Sequence, residues 1–320
     1  MKKVLLIYGG KSSEHKVSCN SAKSIIQNID KNKYDLECIK ITKDGIWMHN
    51  DEEIDNIIEF IKNFDVVFPI IHGTNGEDGK LQGLLDLFNI NYVGAKCGPS
   101  YICMDKERTK QTLNAYNIPQ VPYEIYEKGK KINLDFPVII KPANGGSSVG
   151  IDIANNNRQL KNAIKNALKY DKKIIIEKYL QVQELECAVL EDNNLIVSEV
   201  GEILPANEFY DYEDKYENKL SKTLIPANIS KEVSEKIKEY SKLIFKILEL
   251  NGLSRIDFFY DKINNKIYLN EINTIPGFTE ISMYPKLIMN EGYTYQQLIT
   301  ILIENAQKYP KCQDTLFFLS

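Results

Sequence analysis

Apolar positions along the chain follow two rhythms. In the first ninety-odd residues, short apolar runs ("KVLLIYGG", "YDLECIKI", "DVVFPIIHG") alternate with segments in which apolar residues recur at helical spacing. One such segment carries Val17, Ala22, Ile25, Ile26 and Ile29; "EEIDNIIEFIKNF" and "GKLQGLLDLFNI" behave the same way, and "NYVG" adds a short strand. This βαβα alternation predicts a parallel sheet covered by helices, in which ligands gather at the carboxyl ends of the strands. Gly9-Gly10 and His72-Gly73 stand at such ends.

The rhythm then changes. "MDKERTKQTLNAYNIP" predicts a helix ended by Pro119, "PVIIKPANGGSSVGI" a strand, glycine turn and strand, "RQLKNAIKNALKY" a helix, and "KIIIEKYL" a strand. Further on, "ECAVLEDNNLIVSEVGEI" predicts a hairpin turning at Asn193-Asn194. An aromatic and charged tract follows, "NEFYDYEDKYENKL", then the helix "SKEVSEKIKEYSKLIFKILEL" and a last helix from Tyr295. A chain of 320 residues is long enough for two or three domains.

The sharpest local pattern is "RIDFFYDKINNKIYLNEINTIPG". Two alternating strands flank an Asn-rich turn. Centring that turn on Asn264 sets Asp257 opposite Glu271, and period-two alternation puts Asn273 on the face of Glu271. Carboxylates opposite each other repel, and a cation removes that cost. An all-oxygen set of this kind suits Mg²⁺ shared with phosphate oxygens. A solvated face is the alternative, against which Ile256, Phe258 and Tyr268 supply a regular apolar alternation. Arg255 is placed to neutralise charge on a transferring phosphoryl group.

A metal–phosphate site needs a cradle. No Walker pattern is present, because "GGKSSEH" lacks the earlier glycine. The remaining candidate, "KPANGGSSVG", reads either as a Gly/Ser linker or as a lid over phosphates. It is bracketed by two apolar strands, which favours the lid: Gly145 and Gly146 let backbone N–H groups approach phosphate, with Lys141 as a point charge.

Composition narrows the rest. A net charge of −4 gives no electrostatic footprint for nucleic acid. No apolar run approaches the ~20 residues a membrane helix requires, and the apolar stretch after Met1 is too short for a secretion signal. The six cysteines form no Cys-x-x-Cys pair and are expected to be reduced structural thiols, and the three histidines are too scattered for a zinc site.

Taken together, "GGKSSEHKVSCNSA", "HGTNGEDGKLQG", "MDKERTK", "FPVIIKPANGGSSVG", "IIIEKYL", "EFYDYEDKY", "RIDFFY" and "NEINTIPGFT" resemble, over essentially the whole chain, the D-alanine–D-alanine ligase family of ATP-grasp enzymes. The resemblance implies a multidomain α/β (α+β) chain. A Rossmann-like parallel-sheet domain over 1–95 precedes an ATP-grasp fold of two α+β subdomains, a lid over 96–182 and a catalytic part over 183–320. It implies a cytoplasmic homodimer of peptidoglycan synthesis with ATP, D-alanine and two Mg²⁺ ions (or Mn²⁺), working through a D-alanyl phosphate.

By the same resemblance, Asp257, Glu271 and Asn273 hold metal, and Lys106, Lys141 and Lys215 contact phosphates. Glu177, Tyr179 and Glu184 receive adenosine. Glu14, with His72 beside it, takes the first D-alanine's ammonium, and Ser147 and Tyr216 join Glu14 in a hydrogen-bonded set. Arg255 and the N–H of Gly277 form an oxyanion hole, and Ser282 binds the second substrate's carboxylate. Each has a plainer alternative: Glu14 as a helix-terminal carboxylate, His72 as a core histidine, and Tyr210, Tyr212 and Tyr216 as packing aromatics. One stretch departs from the family: Glu280-Ile281-Ser282 stands where Ser-His-Ser is common. It leaves D-serine open as the second substrate. A different class, a nucleotide-binding protein that has lost its chemistry, would lack a metal ligand or lysine, and none is missing.

Overall fold

The computed structural model describes residues 1–204 and 222–307. Lys215, Tyr216 and the tyrosine-rich tract around them lie outside the described residues, as does Cys312.

The first sheet has the order β4-β3-β2-β1-β5. Strands β1 (Lys2–Gly9), β2 (Tyr34–Ile41) and β5 (Val66–Pro69) run parallel, joined through helices α1 (His15–Asn28) and α2 (Ile57–Ile61). Val4, Leu5, Leu6 and Ile7 are all fully buried, as expected of a strand covered on both faces. Two expectations fail at the edge. The run "EEIDNIIEFIKNF" is mostly not helix: Glu52–Glu53 form strand β4 against β3 (Trp47–His49), and α2 holds five residues. Asn56 caps α2, its side chain accepting from the Glu59 N–H, so the helix starts at Ile57 rather than at Ile54, the first apolar residue of the run. "NYVG" forms only a single bridge, Val67 to Tyr92.

Beyond α3 (Lys80–Leu87), the helix predicted across "MDKERTKQTLNAYNIP" proves to be the second of a pair, α4 (Cys97–Met104) and α5 (Lys106–Asn114). Asp105 separates them in an extended conformation and accepts from the N–H groups of Glu107 and Arg108, so it starts α5. The helix ends at Asn114, before Pro119.

The second sheet, β6-β9-β7-β8, is wholly antiparallel. It comprises β6 (Tyr123–Ile125), β7 (Val138–Pro142), β8 (Asp152–Ala154) and β9 (Ile174–Lys178), with α6 (Asn157–Ala167) packed on it through Leu160, Ala163, Ile164 and Ala167. The glycine-rich stretch joins β7 to β8 as predicted.

The third sheet orders β13-β12-β10-β14-β15, with β11 paired to β10. Its strands are β10 (Gln183–Glu191), β11 (Leu195–Val197), β12 (Gly201–Leu204), β13 (Lys222–Leu224), β14 (Leu253–Asp261) and β15 (Lys266–Asn273). The hairpin at Asn193-Asn194 is present, Glu191 facing Leu195. One face carries the helix Lys231–Ile247. The other joins the first sheet in a single core, where Val4, Leu6 and Phe68 meet Phe278, Tyr284 and Leu298. The helix Met283–Asn290, between the hairpin and the final helix Tyr295–Asn305, was not foreseen. This shared core fixes the carboxyl ends of β1 and β5 against β14 and β15. Among the described residues no helix is long and apolar enough to cross a membrane.

Candidate active site

A cavity of about 480 Å³ opens where the three sheets meet. Its walls hold Glu14 and His72 from the first sheet's loops, Lys106 from α5, and Gly145, Gly146 and Ser147 from the glycine loop. Glu184, Arg255, Asp257, Glu271, Asn273, Gly277 and Ser282 complete it from the third sheet and the segment after it. Thus these thirteen residues, all named from the sequence, share one cavity. Lys141, Glu177 and Tyr179 lie off its wall.

The hairpin supplies the densest charge. Asp257 pairs opposite Glu271, and Arg255 opposite Asn273. The ladder shifts by one residue between Asp257 and Phe258, a bulge that leaves Asn270 unpaired. Without it Asp257 would face Asn270 and the carboxylates would part. Arg255 grips Asp257 with Nε to Oδ1 and Nη2 to Oδ2, both 2.8 Å, and its Nε lies 3.0 Å from Oε2 of Glu186. Burial alone would lower the guanidinium's pKa, but Asp257 and Glu186 hold it well above its ordinary value, so its charge is permanent. The Nδ2 of Asn273 donates to Oδ2 of Asp257 at 2.9 Å. Lys106 donates to the carbonyl of Gly145 at 2.7 Å and stands 3.4 Å from Glu271, tying the glycine loop to the hairpin.

Among the described residues no three His, Cys, Asp or Glu side chains stand ready to hold a metal ion. The set here is two carboxylates and an amide, all with oxygen donors, facing the cavity. It fits Mg²⁺ only if phosphate oxygens complete the shell, which is how Mg²⁺ is usually bound.

On the opposite wall, Glu14 stands at the N-terminus of α1 without capping it. Instead its Oε1 accepts from the hydroxyl of Ser147, tying the glycine loop to the start of α1. Ser12 sets the turn, donating to the carbonyl of His72 and accepting from the Glu14 N–H. Gly73 is required there: φ is +74°, and a Cβ would sit 2.6 Å from Oε2 of Glu14.

His72 is buried and fully engaged. Its Nδ1 meets the carbonyl of Ile275 at 2.8 Å, so Nδ1 must carry the proton, and the Ser21 hydroxyl donates to Nε2 at 3.1 Å. Burial holds its pKa below the ordinary value, and the ring is neutral. The segment after β15 is held to α1 and to the loop after β5 by two groups that sequence reasoning missed. Ser21 accepts from the Phe278 N–H, and Glu77 accepts from the N–H groups of Gly73 and Ile275 at 2.7 and 3.0 Å. Burial, reinforced by Glu14, pushes the Glu77 carboxyl up to about 8. The native state therefore holds a proton that the unfolded chain, with an ordinary value of 4.5, releases. The resulting stability is present below pH 4.5 and is lost as pH rises through about 8. The melting temperature of the wild type is expected to fall more steeply between pH 6 and 8.5 than that of Glu77→Gln, by paired thermal melts; parallel curves would refute this.

The off-wall residues form a third cluster. Glu177 on β9 receives Lys141 at 2.6 Å and Lys110 at 2.7 Å, and all three are buried. Burial opposes ionisation of Glu177, but the two lysines outweigh it and bring its pKa down to about 2. Lys110 was not foreseen.

Gly277 packs so closely on Ser282 that a Cβ would lie 3.3 Å from the serine Oγ. That Oγ also accepts from the Thr279 N–H at 3.1 Å and lies 2.8 Å from the Thr279 hydroxyl. Ile281 projects beside them with 67% of its surface exposed.

Comparison with known proteins matches residues 3–95 to the family model "D-ala D-ala ligase N-terminus" and residues 111–304 to "D-ala D-ala ligase C-terminus". A D-alanine–D-alanine ligase from Clostridium novyi is 46% identical over 95% of this chain and 98% of its own length. The crystal structure of the VanG D-Ala:D-Ser ligase from Enterococcus faecalis superposes with a TM-score of 0.85 at 35% identity, covering 95% of this chain and 99% of that one. A D-alanine–D-alanine ligase from Bacillus anthracis, solved in complex with ATP, gives a TM-score of 0.80 at 28% identity, covering 96% of this chain and 98% of that one.

Proposed function

We propose the following chemistry for a chain that belongs to the D-alanine–D-alanine ligase family. The protein is a carbon–nitrogen ligase that joins two D-alanines into D-alanyl-D-alanine for peptidoglycan precursors, with ATP as the energy source. The observation that carries the reading is the single cavity in which Glu14 and Ser147 face the Arg255–Asp257–Glu271 cluster.

Glu14, aimed by the hydrogen bond from Ser147, accepts the first substrate's ammonium. That places the substrate carboxylate toward the hairpin. The glycine loop, drawn in by Lys106, encloses the nucleotide phosphates, while Glu184 takes the ribose and Glu177, Lys141 and Tyr179 the base and phosphates. A carboxylate oxygen attacks the terminal phosphorus, ADP departs, and a D-alanyl phosphate results. The second amine then attacks the acyl carbon. Arg255 and the Gly277 N–H stabilise the resulting oxyanion, Ser282 anchors the incoming carboxylate, and C–O cleavage expels phosphate. Asp257, Glu271 and Asn273 would hold Mg²⁺, which when bound neutralises phosphate charge. Positioning and charge neutralisation supply most of the rate in such transfers. Lys215 and Tyr216, outside the described residues, are assigned to phosphate and to the Glu14 set on family resemblance alone. Cytoplasmic residence and a homodimer belong to the same proposal.

A second reading, D-serine as the second substrate, is favoured by the departure at Glu280-Ile281 and by the similarity to the VanG ligase. A hydrophobic pocket rejects an added hydroxyl only weakly. The test is phosphate release with D-alanine alone and with excess D-serine, the dipeptide being identified by mass. Robust turnover on D-alanine alone, with D-alanyl-D-alanine dominant in the mixture, is expected. Poor turnover rescued by D-serine would replace the first reading with the second.

A further inference from the structure

We propose that Glu186, which lies outside the metal and substrate sets, is a positioning residue: it holds Arg255 when a divalent cation draws on Asp257. This rests on the reading of the cavity as a metal-assisted phosphoryl-transfer site. Glu186 lies on β10, 6% exposed, directly opposite Asp257 on β14, which is itself opposite Glu271 on β15. Three carboxylates therefore form a row across three adjacent strands on one face. Arg255 stands two residues from Asp257 on β14 and so shares that face. Its Nε lies between Glu186 and Asp257, at 3.0 and 2.8 Å.

Both Asp257 oxygens are engaged by the guanidinium, and Oδ2 also accepts from Asn273. A cation that takes Asp257 as a ligand therefore competes with Arg255. The guanidinium cannot lose its charge, so it must keep a carboxylate partner in this buried site. Glu271 and Asn273, on β15, belong to the same ligand set. Glu186 is one strand away on the other side of Asp257, so it can retain Arg255 without leaving the cation's neighbourhood short of ligands. Removing the Glu186 charge leaves Asp257 as the guanidinium's principal partner. The cation must then break a stronger pair, and the oxyanion-stabilising nitrogens lose their fixed direction.

Mn²⁺ binding in the presence of ADP, followed by the electron paramagnetic resonance signal of the free ion, tests this without turnover. Glu186→Gln is expected to weaken binding about tenfold, the usual scale for losing a group that orients a ligand. Glu186→Asp should recover part of the loss. In an Arg255→Met background the effect of Glu186→Gln should shrink to below about twofold, because no guanidinium remains to hold Asp257. In turnover, the half-saturating Mg²⁺ concentration should rise in parallel. Unchanged Mn²⁺ affinity in Glu186→Gln would overturn the proposal. So would a tenfold loss that persists with Arg255→Met, which would make Glu186 a direct ligand. If instead Asp257→Asn binds Mn²⁺ as the wild type does, it is the metal-site reading that fails. Circular dichroism melts confirm that each variant is folded; were Glu186→Gln unfolded, the Glu186→Asp series carries the same comparison.

Discussion

Arg255→Ala is expected to lose about 10²–10³ in turnover and about 3–5 kcal/mol in stability. The two losses have separate causes. The rate falls because the guanidinium is the charge-neutralising donor nearest the reacting groups in the proposed chemistry. The stability falls because Glu186 and Asp257, with side chains 8% and 10% exposed, are left facing each other on adjacent strands. Mg²⁺ separates the two effects. Added to the variant with ADP, it supplies the missing positive charge and should raise the melting temperature by more than it does for the wild type. It should not restore turnover. Arg255→Lys, which keeps the charge but not the fork, should be the more stable variant and remain slow. Unfolding curves and phosphate release with and without Mg²⁺ check this; wild-type stability in Arg255→Ala would refute the account of the cluster.

Glu177→Ala should be comparably damaging to the fold. It leaves Lys110 and Lys141 buried together with no counter-charge, a loss of about 3–5 kcal/mol. Native Glu177 is ionised down to about 2, against 4.5 for an ordinary glutamate. A depressed carboxyl contributes stability that is present above pH 4.5 and lost as pH falls through about 2. The partner opposes this in part: burial outweighs Glu177's attraction and holds the Lys110 ammonium below its usual value. The pair's net contribution is accordingly smaller than the carboxylate's shift alone suggests. Acid unfolding followed by circular dichroism should show the wild type losing stability below pH 4.5 more steeply than Glu177→Gln. Coincident acid limbs would show that the lysines do not hold Glu177 ionised.

The hairpin shows how far the sequence could be read. Asp257 does face Glu271, but the turn is centred between Ile263 and Asn264 rather than on Asn264, and the bulge at Asn270 restores the register. No glycine or proline marks that bulge, so alternation alone could not reveal it. The helix α4 was hidden by Gly98-Pro99, which looks like a loop but occupies a first helical turn, where proline's missing N–H costs nothing. The cavity's carboxylates, glycines and Arg255 were legible because each sits in a short motif. Glu77 and Lys110 also lie in family motifs, but their roles come from distant partners, and Glu186 lies in none of those motifs. Glu186 is one of several polar positions on β10, and its partner is Arg255 on another strand. Glu77 meets Ile275, and Lys110 meets Glu177, across gaps that no local period spans.

The central claim is that this cavity activates a substrate carboxylate by phosphorylation. D-alanine labelled with ¹⁸O in both carboxylate oxygens tests it most directly. With ATP and Mg²⁺, attack of a carboxylate oxygen on phosphorus, followed by C–O cleavage, carries one ¹⁸O into each inorganic phosphate, detectable by mass or by its ³¹P shift. Singly labelled phosphate, formed together with D-alanyl-D-alanine, is the predicted result. Unlabelled phosphate would mean that water or another nucleophile takes the phosphoryl group, and would contradict the account.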